Sequence, residues 1–148
     1  MKKTILLADD DASIRTMVGR VLESEHYDVV TASSGAEAAS KFITHPPDLV
    51  LLDLNMPEKD GWEAWRLMTH WRPLVPVIVI TARSHQYLQA VRNKIDALME
   101  KPLDLHVLLQ SIKKLLEEPH RIHVARLSDP GFKTALLSAT TYTNADDQ

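Results

Sequence analysis

Residues 49–53 read Leu-Val-Leu-Leu-Asp, an uninterrupted apolar run that is followed by a single carboxylate. A run without polar alternation is typical of a strand buried on both faces, as in a parallel sheet that helices cover on both sides. Including this one, five short apolar runs alternate with helix-period segments, at residues 4–8, 28–31, 49–52, 75–80 and 97–99. Strands that alternate with helices in this way predict an α/β domain.

Five helical segments are predicted between and after these strands, because apolar residues recur in each at i, i+3 and i+4. Asp11 is expected to cap the first helix, and a capping box at Ser34 begins the second. The third is expected to begin at Asp60, the fourth to run from about Ser84 to a turn at Asn93, and the fifth to span residues 104–118.

The composition excludes several classes of protein. The 148 residues include 17 Lys+Arg and 20 Asp+Glu, for a formal net charge of -3, and no cysteine. This mild acidity does not favour nucleic acid or anionic lipid, and a chain without cysteine has no disulfide framework and no thiolate chemistry. The N-terminal apolar run is too short for a signal peptide, and no later stretch approaches the roughly 20 apolar residues of a membrane span. We therefore expect a cytoplasmic protein, with no direct nucleic-acid partner and no membrane insertion.

The composition changes near the C-terminus. Residues 119–148 contain scattered histidines and, towards the end, small polar residues. Because so few residues cannot form an independent core, we predict a domain at 1–118 followed by an extension, with no separate output domain. Within the extension we expect a short docked helix at 133–137, a solvated His123 and disorder at 140–148.

Polar and charged side chains directly follow four of the predicted strands. They are Asp9, Asp10, Asp53, Thr81 and Lys101. In an open parallel sheet, ligands bind outside the carboxyl ends of the strands, so these side chains are expected to converge. Three carboxylates in one crevice repel one another, and a hard divalent cation with oxygen ligands relieves that repulsion. The sequence therefore predicts a Mg²⁺ site.

The candidate nucleophile is Asp53, because it stands alone at the end of a buried strand and carboxylates accept phosphoryl groups as acyl phosphates. A backbone carbonyl of the following loop, Leu54-Asn55-Met56-Pro57, is available to complete the metal shell. Lys101 is suited to pair with one phosphoryl oxygen, and Thr81 to donate a hydrogen bond to another. Chemistry of this kind depends on positioning and charge neutralisation.

Five motifs occur in order, each at its expected place in the predicted sheet. They are Leu7-Ala8-Asp9-Asp10-Asp11, Leu51-Leu52-Asp53-Leu54-Asn55-Met56-Pro57, Asp60-Gly61, Val79-Ile80-Thr81-Ala82 and Lys101-Pro102. Together they closely resemble the response-regulator receiver domain, over residues 1 to about 118. The resemblance implies a flavodoxin-like, doubly wound five-stranded parallel sheet of order 2-1-3-4-5, with helices on both faces.

The resemblance also implies roles for individual residues. Asp53 would take a phosphoryl group from a sensor histidine kinase or a phosphotransfer protein, in a two-component phosphorelay. The implied Mg²⁺ ligands are Asp10, Asp53, the Asn55 carbonyl and, through water, Asp9. Thr81 and Lys101 would bind the phosphoryl group, with a cis bond between Lys101 and Pro102. The chain would act mainly as a switch that catalyses its own phosphotransfer and dephosphorylation.

Two positions depart from the family pattern, and two others lie where the family varies. Leu98 stands where the family usually has an aromatic residue that swings inward, and Lys94 replaces a glycine that commonly ends the fourth helix. Arg83 and Asn55 occupy the two positions that tune phosphate lifetime in the family. The expected output surface is the fourth helix, fifth strand and fifth helix, which would contact an unidentified downstream protein.

Three functions other than a phosphorylation switch are considered for an α/β domain of this kind. A receiver-like docking module that no longer switches is the alternative, and Leu98 favours it. A hydrolase that resembles the haloacid-dehalogenase class would need a second Asp two residues after Asp53, where Asn55 stands. A nucleotide-binding Rossmann domain would need a GxGxxG motif after the first strand, and the sequence has none there.

Overall fold

The computed structural model describes residues 2–56, 61–82 and 87–137, and these contain one parallel sheet with helices on both faces. The strands are β1 (Thr4–Ala8), β2 (Asp28–Ala32), β3 (Leu49–Asp53), β4 (Val77–Thr81), β5 (Ala97–Glu100) and β6 (Ala135–Leu137). The helices are α1 (Ala12–Ser24), α2 (Gly35–Thr44), α3 (Gly61–Trp71), α4 (Tyr87–Arg92), α5 (Leu105–Glu117) and α6 (His120–Ser128). None of the helices within this described part is long and apolar enough to cross a membrane.

The strand order is β2-β1-β3-β4-β5-β6, and every neighbouring pair is parallel. The predicted α/β class and the predicted order of the first five strands are confirmed. The predicted total of five strands is wrong, because a sixth strand pairs with the outer edge of β5. The helix predicted at 133–137 is wrong for the same reason, because Ala135–Leu137 pair with the backbone groups at the edge of β5. These hydrogen bonds outweigh the helical preference of a segment that is too short to show a period.

The core lies on the two faces of the sheet, as the uninterrupted apolar strands predict. On one face, residues such as Leu52 pack with Phe42 of α2 and Met68 of α3. On the other, residues such as Leu51 pack with Leu22 of α1 and with α5. Every residue of β3 and β4 is buried, so the ends of these strands are held firmly at the edge where the candidate site lies.

The helix starts agree with the capping predictions wherever they are described. The Asp11 carboxylate accepts hydrogen bonds from Ser13 N at 2.8 Å and Ile14 N at 3.3 Å, so it caps α1 as predicted. Ser34 Oγ accepts from Glu37 N at 3.1 Å and caps α2. The predicted starts of the third helix at 60 and the fourth at 84 lie outside the described residues.

The chain leaves α4 at Lys94, and the predicted turn at Asn93 is one residue too early. Lys94 has a φ of 57°, the left-handed conformation that glycine adopts most readily. Two contacts hold it there: Ile95 N donates to Ala90 O at 2.9 Å, and Lys94 Nζ donates to Leu127 O at 2.6 Å. The second contact comes from the C-terminal extension, so the residues next to Lys94 in the sequence do not reveal it.

Residues 119–137, here called the C-terminal arm, pack on the sheet edge through α6 and β6. His123, expected to be solvated, is 6% exposed, and its Nε2 lies 2.9 Å from Asp96 Oδ1. The expectation is wrong because Asp96, just before β5, is a buried carboxylate that needs donors. Residues 140–148, predicted to be disordered, lie outside the described residues.

Candidate functional site

Three carboxylates meet at the carboxyl edge of the sheet. Asp9 and Asp10 follow β1, and Asp53 is the last residue of β3. One carboxylate oxygen from each lies within 4.8 Å of the others. Asp9 and Asp53 are buried, whereas Asp10 is exposed, so the cluster reaches solvent at Asp10.

Backbone amides orient the two buried carboxylates. Asp9 Oδ1 accepts a hydrogen bond from Asp11 N at 2.9 Å, and Asp53 Oδ1 accepts one from Asn55 N at 3.0 Å. Each amide belongs to the residue two positions ahead, where the chain turns away from its strand. In both residues Oδ1 is therefore held by the backbone, and Oδ2 is left for the pocket.

One ammonium group serves both Oδ2 atoms. Lys101 Nζ lies 3.2 Å from Asp9 Oδ2 and 3.5 Å from Asp53 Oδ2. The lysine is held at this edge because its backbone N donates to Thr81 O at 2.9 Å, and the bond between Lys101 and Pro102 is cis, as the resemblance implies. The position of Lys101 at the pocket follows from its place directly after β5.

The charges in the pocket are not balanced. Burial, together with the nearby Asp9 charge, raises the pKa of Asp53 to about 6, although the Asn55 amide and Lys101 act in the opposite direction. Burial alone lowers the pKa of Lys101, but the charges of Asp53 and Asp9 outweigh it and leave the pKa above its usual range. The pocket thus favours an additional cation.

The residues present fit a hard divalent cation. Asp9 Oδ2 is buried and close to Lys101 Nζ, yet it makes no hydrogen bond of acceptable geometry. A buried carboxylate oxygen that accepts no hydrogen bond and lies among other oxygen donors is a suitable ligand for Mg²⁺. Asp10 and Asp53 lie in the same cluster, and the Asn55 carbonyl stays a predicted ligand.

The other predicted residues lie at or near the same edge. Thr81, fully buried, is the last residue of β4 and pairs with Glu100 of β5, directly before Lys101. Leu98, the residue at the family's aromatic position, is also fully buried and packs in the core beside β4. Arg83 lies outside the described residues.

Sequence reasoning missed a second buried charged group, at the opposite end of the strands. Asp96 Oδ1 accepts from His123 Nε2 at 2.9 Å and from Arg126 Nη2 at 2.7 Å, and its Oδ2 accepts from Val77 N at 3.0 Å. Arg126 also bonds Glu118 through Nε at 3.0 Å and Nη2 at 2.9 Å. The available signal was the spacing of His123 and Arg126, which are one helical turn apart.

Gly61 is required beside the pocket because α3 begins against the backbone of the loop after β3. A Cβ at Gly61 would lie 2.5 Å from Leu54 Cα and 2.8 Å from Asp53 O. We expect Gly61→Ala to lower the free energy of unfolding by about 1–3 kcal/mol, measured by urea denaturation, since backbone atoms have to move. Gly19→Ala is the control, because a Cβ there meets nothing within 4 Å. Equal stability of the two variants would contradict this account of Gly61.

A parallel sheet of this order, with a carboxylate cluster, a lysine and a threonine at its carboxyl edge, is the arrangement that the resemblance to a receiver domain implies. The family model of the response regulator receiver domain matches residues 5–113. The chain belongs to the response regulator receiver domain family, as the sequence motifs indicate.

Curated relatives agree with this assignment. The chain is 34% identical over 118 residues to the alkaline phosphatase synthesis transcriptional regulatory protein PhoP of Bacillus subtilis (strain 168), covering 78% of this chain and 49% of that protein. It is 36% identical over 116 residues to the transcriptional regulatory protein GlrR of Escherichia coli (strain K12), covering 77% of this chain and 26% of that protein. The chain thus spans about half or less of the length of these relatives.

Solved structures agree on the fold. A CheY-like response regulator receiver domain protein from Methanospirillum hungatei JF-1 is 28% identical with a TM-score of 0.75, covering 79% of this chain and 95% of that one. CheY in the CheX-CheY-BeF3-Mg²⁺ complex from Borrelia burgdorferi is 25% identical with a TM-score of 0.72, covering 78% of this chain and 90% of that one.

Proposed function

We propose that the chain is the phosphoacceptor of a two-component phosphorelay, in which Asp53 takes a phosphoryl group from a phosphohistidine and the protein's contacts with other proteins change. One observation carries the proposal. The buried Asp53 carboxylate shares a lysine ammonium with Asp9 at the open edge of the sheet, 3.5 Å from Lys101 Nζ.

The transfer itself balances with the groups at hand. A carboxylate oxygen of Asp53 forms a bond to phosphorus while the bond from phosphorus to the donor's imidazole nitrogen breaks. The imidazole leaves with the electron pair of that bond and is protonated by solvent. Because Oδ1 of Asp53 is held by the Asn55 amide, Oδ2 is the oxygen that faces the incoming group.

The remaining residues provide positioning and charge. Lys101 Nζ is 3.5 Å from Asp53 Oδ2 and is placed to pair with a phosphoryl oxygen, and the Thr81 hydroxyl donates to another. Asp9, Asp10, Asp53 and the Asn55 carbonyl would hold Mg²⁺, which supplies balancing charge for the carboxylates and the phosphoryl oxygens when it is bound.

The partners follow from this chemistry. The donor is a sensor histidine kinase or a phosphotransfer protein, and the output is contact with a downstream protein, in the cytoplasm. The CheX-CheY complex shows that one structural relative binds a protein partner together with Mg²⁺. The alternative, a docking module that no longer switches, is not favoured, because Asp9, Asp53 and Lys101 lie together as the transfer requires.

Intact mass spectrometry tests the proposal. After incubation with a small acyl phosphate and Mg²⁺, we expect the chain to gain the mass of one phosphoryl group. The same reaction with a chelator in place of Mg²⁺ should give little or no gain, because the pocket then lacks the charge that balances its carboxylates.

Asp53→Asn is the matched variant, since the amide is nearly the same shape as the carboxylate and keeps an oxygen for the Asn55 amide. It should gain no phosphoryl group. A parent chain that is folded and binds Mg²⁺ but gains no mass would refute the proposal and favour the docking module.

A further inference from the structure

The C-terminal arm is tied to β4 and β5 by one buried carboxylate. Asp96, directly before β5, receives hydrogen bonds from Val77 N at the start of β4 and from His123 and Arg126 of the arm. Asp96 is 6% exposed and His123 is equally buried. The arm is therefore packed into the sheet edge and is not merely laid over it.

The arm continues along the edge of β5 as strand β6. Ala135 N donates to Asp96 O at 3.0 Å, and the buried Thr134 Oγ1 donates to Ile95 O at 2.8 Å. The register pairs residues 97–99 of β5 with Ala135–Leu137. β6 thus covers the edge of β5, which belongs to the expected output surface.

The strands that hold the arm are also the strands that deliver the pocket residues. β4 ends at Thr81, and β5 is followed immediately by Lys101, whose backbone N bonds Thr81 O at 2.9 Å. Met99, which pairs with Leu137 of the arm, is only two residues before Lys101. Lys101 and the β5–β6 pairing are thus connected through the backbone of β5.

The structure shows the docked arm together with a Lys101 that is drawn onto two carboxylates, 3.2 Å from Asp9 Oδ2 and 3.5 Å from Asp53 Oδ2. Lys101 is held there by attraction to unbalanced charge. We call the pocket loaded when it holds Mg²⁺, with or without a phosphoryl group on Asp53. In the loaded pocket the charge of Mg²⁺ balances the carboxylates, and a phosphoryl group on Asp53 offers Lys101 oxygens farther from the sheet edge.

We infer that the C-terminal arm is an intramolecular strap whose docking on β5 opposes loading of the acidic pocket, so that a loaded pocket loosens the arm and uncovers the edge of β5. The inference rests on the proposed function of the same pocket. The link is reciprocal, because two events that share one pair of strands change each other's equilibrium by the same factor.

Hydrogen exchange of the full chain tests the inference. We would follow the peptides that cover β6, which include the Ala135 amide, in the free chain, with Mg²⁺ alone, and with Mg²⁺ plus an acyl phosphate. The phosphorylated chain should exchange these amides about fivefold faster or more, which is the lower end of typical coupling between sites. Mg²⁺ alone should give a smaller acceleration in the same direction.

Three comparisons control the experiment. The Asp28 amide, bonded to Lys3 O on the far side of the sheet, should exchange at the same rate in all states. In Asp53→Asn, adding the acyl phosphate should leave the β6 rate unchanged. Thr134→Val removes the bond to Ile95 O without changing volume and should speed β6 exchange in the free chain, whereas Ser128→Ala, at an exposed arm position, should not.

Unchanged or slower exchange of β6 in the loaded chain would overturn the inference. Intact mass measured on the same samples reports phosphorylation separately. If the parent gains no phosphoryl group, the proposed function fails. The inference is then decided by comparing the free chain with the chain in Mg²⁺ alone: faster exchange of β6 supports it, and unchanged or slower exchange overturns it.

Discussion

Asp96→Ala is expected to lower the free energy of unfolding by about 3–5 kcal/mol, the usual cost of breaking a buried ion pair by removing one partner. The variant leaves His123 Nε2 and Val77 N without their acceptor, and Arg126 loses one of its two carboxylate partners and keeps Glu118. The loss is large because a single carboxylate joins β4, β5 and the C-terminal arm.

Urea denaturation of the full chain at neutral pH measures this loss. Asp28→Ala is the matched control: its carboxylate lies 3.7 Å from Lys2 Nζ, but both side chains are more than half exposed, so the change should stay within about 0.5 kcal/mol. A loss below about 1 kcal/mol for Asp96→Ala would show that the arm is not held by this carboxylate.

Asp53→Asn is expected to act in the opposite direction, raising the free energy of unfolding at pH 7 by on the order of 1–3 kcal/mol. Burial raises the pKa of Asp53 from 3.8 to about 6, so the folded chain binds this proton more tightly than the unfolded chain. The parent therefore loses stability as pH rises from about 4 to about 6, and the full deficit is present above that window. Asparagine carries no charge to bury, and so it avoids the deficit.

Unfolding curves of parent and variant at pH 4 and pH 7 measure this effect. The advantage of Asp53→Asn should be present at pH 7 and nearly absent at pH 4. Mg²⁺ should narrow the difference at pH 7, because it stabilises the parent pocket more than the variant pocket. An advantage that is equal at both pH values would mean that the buried charge of Asp53 is not its cause, and Asp28→Asn, at an exposed carboxylate, shows the background.

The sequence predicts the first five strands and the edge that carries the candidate site for a simple physical reason. Buried parallel strands are apolar throughout, and their carboxyl ends must share one edge, so the polar residues directly after them converge. Asp9, Asp53 and Lys101 lie together as expected on these grounds. The distances between these side chains and the raised pKa of Asp53 depend on burial, which the spacing of residues along the sequence does not determine.

The C-terminal arm could not be predicted in the same way. A three-residue strand is too short to show a period, and the edge of β5 that stabilises it lies far away in the sequence. In the sequence, His123 and Arg126 are ordinary polar residues of a short helix, because only the folded chain brings Asp96 opposite them. Likewise, the side chain of the left-handed Lys94 bonds Leu127 O, which lies in the arm.

The most direct test of the central claim is to locate the phosphoryl group chemically. After reaction of the full chain with an acyl phosphate and Mg²⁺, borohydride reduces an aspartyl phosphate to homoserine, and peptide mass spectrometry identifies the altered residue. The account predicts a single homoserine, at position 53. Homoserine at position 9 or 10 instead, or no reduction product from a chain that has gained the phosphoryl mass, would contradict it.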